Sequence, residues 1–478
     1  MIFSTTLFLF LFLPLFLAGY YLLPFRARSA WILLGSWVFY GWWRLDFLAL
    51  LVVATVWTYL LGGVVARHRD QGRRSSWALW LGVALNLGIL GYFKYFNFGV
   101  DTLNALLGAA DVSPWQAWQV ILPIGISFYV FQATSYLVDV WRGDAPPAAN
   151  YLELAAYISL FPQLIAGPIL RYKDLADQFR RREHRFDTFA EGAYRFMIGF
   201  CRKVLIADTV AVIADAVFAL PNPDFAAAWL GALAYTAQLY FDFTGYSDMA
   251  IGLGLMMGFR FMENFNYPYI SRSITEFWRR WHISLSTWLR DYLYISLGGN
   301  RGSTASTYRN IALVMLLGGL WHGAAWTFVI WGAWHGSILV LERWWGRRRG
   351  AKQADARNGG HAVGATARTM LIVVAGWVVF RAVDFAGAVA MFRGMVGLNG
   401  ARPVNSVALE ASRLSLITLI VAFAIIYTEP FLHRWMVRIP RTMAPGVRML
   451  RAGTALLFVL AVIKLQAEAF SPFLYFQF

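Results

Sequence analysis

Three of the chain's seven histidines fall in one stretch, residues 271–341. His282 stands in a segment crowded with Trp and Arg. His322 and His335 lie inside residues 311–341, which contain no Asp, Glu, Lys or Arg. Hydrocarbon tolerates imidazole poorly, so such histidines are expected to face a bundle interior or a water-filled cavity. Imidazole titrates near neutrality, which suits proton transfer. His322 follows Gly318 and Gly319 and precedes Gly323, where the backbone is free to bend or to approach a substrate. His335 repeats the Trp-His-Gly pattern and is read as a supporting or packing residue. The sequence holds no HExxH, no P-loop and no Gly-x-Ser-x-Gly elbow. A membrane-embedded histidine without an obvious nucleophile fits a general base acting on another molecule's hydroxyl. The single Cys201 excludes an internal disulfide and a thiolate metal cluster, and no metal ligand set or bound cofactor is expected.

These groups need elements to hold them. Ser273-Ile274-Thr275-Glu276 has the form of a capping box. The helix it starts is predicted to place Ile274, Phe277, Trp278, Trp281, Leu285 and Trp288 on one face, with His282 at that face's edge. Arg279, Arg280 and Arg290 lie elsewhere around the helix, so it is expected to lie in the membrane interface. Residues 311–341 would measure about 47 Å as one helix, longer than a bilayer core. A break or a strong tilt is therefore expected, with the glycines around His322 as its natural site. Asp242 and Asp248 sit in the apolar run 229–259. They are either functional carboxylates or residues that pin a helix break near Gly245.

Composition sets the class. Of 478 residues, 59% are hydrophobic and 17% aromatic, above the 45–50% apolar share typical of soluble domains. Repeated apolar runs of about 20 residues predict an all-α, multi-pass integral membrane protein with roughly ten to thirteen crossings. The net charge of +16 comes from Lys and Arg clustered between apolar runs. This is the positive-inside bias of a protein in a lipid bilayer rather than a nucleic-acid footprint.

Arg26, Arg28 and the basic residues from Arg67 are expected to be cytoplasmic, and residues 99–120, with two Asp and no Lys or Arg, to be outside. Residues 1–20 are read as a retained first span. Residues 151–170 contain Pro162, Gly167 and Pro168 between two charged flanks, which predicts a re-entrant hairpin, or else a broken pair of short spans. Arg202 and Lys203 are expected to snorkel to the surface from an interfacial segment. The chain reads as one membrane domain over residues 1–478. Within it are an interfacial catalytic segment at 271–310, a flexible cytoplasmic loop at 343–368 and a periplasmic tail at 468–478.

At residues 122–144 (LPIGISFYVFQATSYLVDVWRGD), 161–172 (FPQLIAGPILRY), 240–254 (YFDFTGYSDMAIGLG), 263–302 and 318–328 (GGLWHGAAWTF), the chain resembles the membrane-bound O-acyltransferase family, and most of all its alginate O-acetyltransferase branch. Thr244 departs from the Ser expected there and keeps the hydroxyl. The resemblance implies a ring of tilted helices around a thinned, water-accessible centre. It also implies that His322 is the catalytic histidine and His282 the second family position. Acetyl would come from a cytoplasmic donor, acetyl-CoA, and cross the bacterial inner membrane to periplasmic acetyltransferase or adaptor partners that esterify alginate. Arg279, Arg280 and Arg290 are candidates to attract the donor's phosphates. Tyr475, in the aromatic tail, is a candidate acetyl carrier activated by a base such as His322. The same chemistry on cellulose or peptidoglycan, D-alanyl transfer, and a non-catalytic polysaccharide or lipid channel stay open.

Overall fold

The computed structural model describes residues 1–72, 77–349, 359–400, 411–438, 444–467 and 473–474. Their regular structure is all helical, with no strand among the described residues. In chain order the helices are α1 (Leu13–Leu22), α2 (Phe25–Gly41), α3 (Leu45–Asp70), α4 (Trp77–Ala109), α5 (Ile126–Arg142), α6 (Tyr151–Ile158), α7 (Phe161–Leu164), α8 (Tyr172–Arg180), α9 (Phe186–Cys201), α10 (Asp208–Phe218), α11 (Phe225–Met256), α12 (Ile274–Arg280), α13 (Ile283–Trp288), α14 (Thr304–His322), α15 (Trp326–Arg349), α16 (Gly359–Arg381), α17 (Phe385–Met395), α18 (Arg413–Arg438) and α19 (Ala444–Ala467).

They form two compact units, Met1–Phe196 with Met249–Met262, and Met197–Asp248 with Glu263–Phe478. The first unit is built on an aromatic core in which Phe3, Phe8, Phe12, Phe39 and Phe161 pack ring against ring. Its segment 151–170 is not one span. α6 and α7 are 8 and 4 residues long, so the longer covers about 12 Å. Pro162 opens α7, and the backbone around the break is buried, as required for irregular structure at membrane depth. The second unit carries all three histidines of the 271–341 stretch.

Among the described residues, five helical stretches have the length and apolar composition to cross a membrane: Leu45–Asp70, Trp77–Ala109, Ala362–Arg381, Arg413–Leu432 and Met449–Ala467. This is fewer than the ten to thirteen expected from apolar runs. Other apolar helices are shorter, such as α1 and α2 with 10 and 17 residues, or carry buried polar groups, as α11 does at Asp242. The expected loop at 343–368 is also largely helical, since α15 runs to Arg349 and α16 begins at Gly359. Ala and Arg favour helix even where no apolar periodicity marks one. Residues 350–358 lie outside the described residues.

Candidate active site

The segment around His282 begins as its sequence indicates. Ser273 Oγ accepts from Glu276 N at 3.0 Å, and the Glu276 carboxylate reaches back to Arg272 N at 2.9 Å. Glu342 then takes the N–H groups of Ile274 and Thr275 at 2.8 and 2.9 Å, satisfying donors that a helix start leaves open. The single interfacial helix expected beyond that point is not formed. α12 stops at Arg280, and His282 adopts a left-handed backbone, φ 45°, before α13 resumes. A non-glycine residue in that conformation costs about 1–3 kcal/mol and persists only where neighbours enforce it. Here the enforcing residue is Asn264. Its carbonyl accepts from Ile283 N at 2.9 Å, and its side chain binds Ser284 N, Ser284 Oγ and Ser247 Oγ at 3.2, 2.9 and 3.1 Å. The apolar face from Ile274 to Trp288 is therefore packed into protein, not laid on lipid, and the break turns His282 fully inward at 0% exposure.

His322 arrives from the other side. α14 ends on it, residues 323–325 turn the chain, and α15 begins at Trp326, so the expected break falls at the glycines. The two helices pack backbone to backbone. A Cβ on Gly319 would lie 2.3 Å from the Phe328 carbonyl oxygen, and one on Gly332 would lie 2.4 Å from that of Met315. The His282 and His322 rings are 6.2 Å apart between centroids. Phe243 stands edge-on to His282 at 4.7 Å, and Trp331 and Phe380 pack on His322 at 5.1 and 5.3 Å. With His282 at 0% and His322 at 6% exposure, the pair is buried among aromatic rings, shielded from bulk solvent. His335 is not part of the pair. It is buried one turn along α15 behind Trp331, among Phe277, Trp278 and Trp377.

Asp242 and Asp248 do not pin a break, because α11 is continuous through Gly245. Gly245 instead lets another backbone close in, a Cβ there meeting Gly199 O at 2.7 Å. Asp248 pairs with Arg202 at 2.6 Å, and Arg202 also binds Glu429. Asp242 pairs with Lys203 at 3.0 Å, and Lys203 also binds Asp208. Arg202 and Lys203 thus pair with carboxylates within the protein, Asp242 fully buried among them, rather than snorkelling. Asp242 also accepts from Leu474 N at 3.0 Å, which brings residues 473–474 to the site. Phe473 packs on Tyr246 at 4.6 Å and on Phe243 at 6.3 Å, so one ring separates the tail from His282. Tyr475 itself lies outside the described residues.

The three arginines do not converge. Arg280 pairs with Glu276 at 2.8 Å, and Arg290 with Asp291 at 2.7 Å. Arg280 lines a cavity of about 720 Å³ with Arg272, Thr366 and Tyr427, a wall to which Arg279 and Arg290 do not contribute. Arg272 also lines a second cavity of about 890 Å³, with Arg343 and Arg368. The described residues contain no group of three or more His, Cys, Asp or Glu able to hold a metal ion.

Sequence reasoning missed Asn264, Lys203 as Asp242's partner, and Arg272. Asn264 was legible only as part of the Asn-Phe-Asn motif at residues 264–266; nothing in the sequence links it to Ser284. A match to the model of the MBOAT, membrane-bound O-acyltransferase family, covers residues 145–380, which hold the histidine pair, Asn264 and both glycine contacts. The chain is 51% identical over its whole length, and the whole of the relative, to the probable alginate O-acetylase AlgI of Azotobacter vinelandii. It is 36% identical to the peptidoglycan O-acetyltransferase of Helicobacter pylori, over 84% of this chain and 80% of that one. To the teichoic acid D-alanyltransferase of Bacillus subtilis it is 26% identical, over 62% and 81%. Full-length identity of this order, on a helical membrane scaffold with a buried histidine pair, places the chain in the membrane-bound O-acyltransferase family: it is a multi-pass membrane O-acyltransferase.

Proposed function

We propose that the protein acetylates alginate as the inner-membrane component of a polymer-modifying system, taking acetyl from cytoplasmic acetyl-CoA and passing it to periplasmic acetyltransferase partners. The observation that carries the reading is the buried His282–His322 pair, with rings 6.2 Å apart and one aromatic ring from the chain's C-terminal tail. Full-length identity of 51% to a relative named for alginate, against 36% for one named for peptidoglycan, supports alginate as the polymer.

In this scheme His322 is the general base and His282 lines the chamber opposite it, orienting the acyl group. The acceptor is the phenol of Tyr475. A phenol's ordinary pKa is near 10, so it needs a base to attack. His322 removes the phenolic proton, and the oxygen attacks the thioester carbonyl. The C–S bond breaks, and the CoA thiolate takes up the proton, leaving an acetyl-tyrosine for transfer to a sugar hydroxyl by a partner. Arg280 and Arg272, on one cavity wall, are better placed than Arg279 and Arg290 to meet the donor's phosphates. His335, caged behind Trp331, supports the packing.

The test is labelled acetyl-CoA with purified protein, alone and with periplasmic partners, followed by polymer acetylation in cells at matched membrane levels. His322→Ala should lower transfer by about 10²–10⁴-fold. Wild-type transfer by this variant would remove His322 as the general base, and no transfer by the wild-type protein would leave a pore without catalysis as the better reading.

A further inference from the structure

We infer that Asp242 is a positioning residue that seats the C-terminal tail beside the histidine pair, taking the backbone N–H of Leu474 on one carboxylate oxygen while Lys203 holds the other. The two distances are 3.0 Å each, Leu474 N to Oδ2 and Lys203 Nζ to Oδ1. The seat is built rather than incidental. Phe473 and Leu474 are 1% and 3% exposed, and Asp242 is itself buried, where a carboxylate is retained only if paired and hydrogen-bonded.

Lys203 already has a second carboxylate partner in Asp208. Asp242 spends its remaining oxygen on main chain more than 200 residues away rather than on its own helix. A bond to backbone fixes the path of the chain whatever side chain sits there, and charge assistance strengthens it. The neighbouring contacts agree. Tyr246, one turn along α11 from Asp242, packs on Phe473 at 4.6 Å. Phe243 touches both Phe473 and His282. One face of α11 therefore aligns the tail and the histidine pair.

The seat stands on these contacts alone; its consequence for turnover rests on the tail-carrier reading above. The experiment is carboxypeptidase Y digestion of the intact chain in detergent, followed by intact mass. In the wild type, digestion should stall on reaching Leu474 and Phe473. Asp242→Ala should speed their release by about ten- to a hundredfold, the effect of losing a charge-assisted hydrogen bond. Lys203→Met with Asp242→Asn removes both charges and keeps an acceptor oxygen, so it should return release to within a few-fold of wild type. This pair also separates a lost seat from a misfolded bundle.

In labelled acetyl transfer, Asp242→Ala should lower kcat and leave the KM for acetyl-CoA unchanged, since Asp242 does not line the cavity assigned to the donor's phosphates. Equal protease resistance in Asp242→Ala and wild type would overturn the seat, as would unhindered removal of residues 473–474 from the wild type. Tyr475→Phe should keep the resistance and lose transfer. If it transfers normally while Asp242→Ala sheds the tail, the carrier reading falls and the seat stands.

Discussion

Histidines that look alike in sequence have different surroundings here. His322 and His335 both sit in Trp-His-Gly, yet one ends a helix facing another imidazole and the other is enclosed by indoles and a phenyl ring. His184, which no motif marks, sits between α8 and α9 with its Nε2 2.9 Å from the Tyr20 hydroxyl. Partial burial, and then the positive charges of Arg28 and Arg182, hold its imidazole below the ordinary value. The native state therefore keeps His184 neutral at a pH where the unfolded chain has already taken up a proton. Its contribution to stability is unchanged above about pH 6.5 and becomes unfavourable as pH falls below it, until the folded-state pKa is passed. Thermal melting in detergent should show a lower Tm at about pH 5.5 than at about pH 7.5, and His184→Gln should shrink that drop. An identical pH dependence in the variant would remove His184 from the account.

At the scale of elements, the site depends on two breaks and one close packing. The first break puts His282 in a left-handed turn held by Asn264, and the second ends α14 on His322. The α14–α15 hairpin holds its geometry because Gly319 and Gly332 admit backbone against backbone. A Cβ at Gly319 would meet a carbonyl oxygen at 2.3 Å, and that oxygen belongs to a helix and cannot swing aside. Gly319→Ala should therefore destabilise the protein by about 1–3 kcal/mol, read as a lower melting temperature, and should reduce acetyl transfer with it. Gly318→Ala is the control, because its Cβ would meet only a Leu289 methyl at 3.4 Å. If both variants melt alike, the hairpin is not held by this contact.

For the whole molecule, orientation follows from charge. α4 has 33 residues, about 50 Å of helix, so its ends clear a 30 Å hydrocarbon core. The basic residues before it and Asp111 after it are then expected on opposite sides, with the basic side cytoplasmic. In a Cys201→Ser background, Asp111→Cys should react with a membrane-impermeant maleimide in intact spheroplasts. Gln71→Cys should react only after permeabilisation. The reverse pattern would invert the topology.

The all-α membrane class, the capping box at Ser273 and the break at His322 were all legible in the sequence, because each depends on local composition or on spacing along one helix. The pairing of His282 with His322 was not. It requires a left-handed turn imposed by Asn264, 18 positions upstream, and no periodicity records a bond between distant residues. Which apolar runs are covered by protein was not legible either: an apolar run reads the same whether lipid or protein covers it, and only packing tells them apart. The charges on α11 show the same limit. Sequence marked Asp242 and Asp248 as unusual, but only the tertiary structure supplied Lys203 and Arg202 as partners and brought Leu474 back to Asp242. Buried charge is stabilised by what lies across the fold, and that information is not carried in the neighbouring residues.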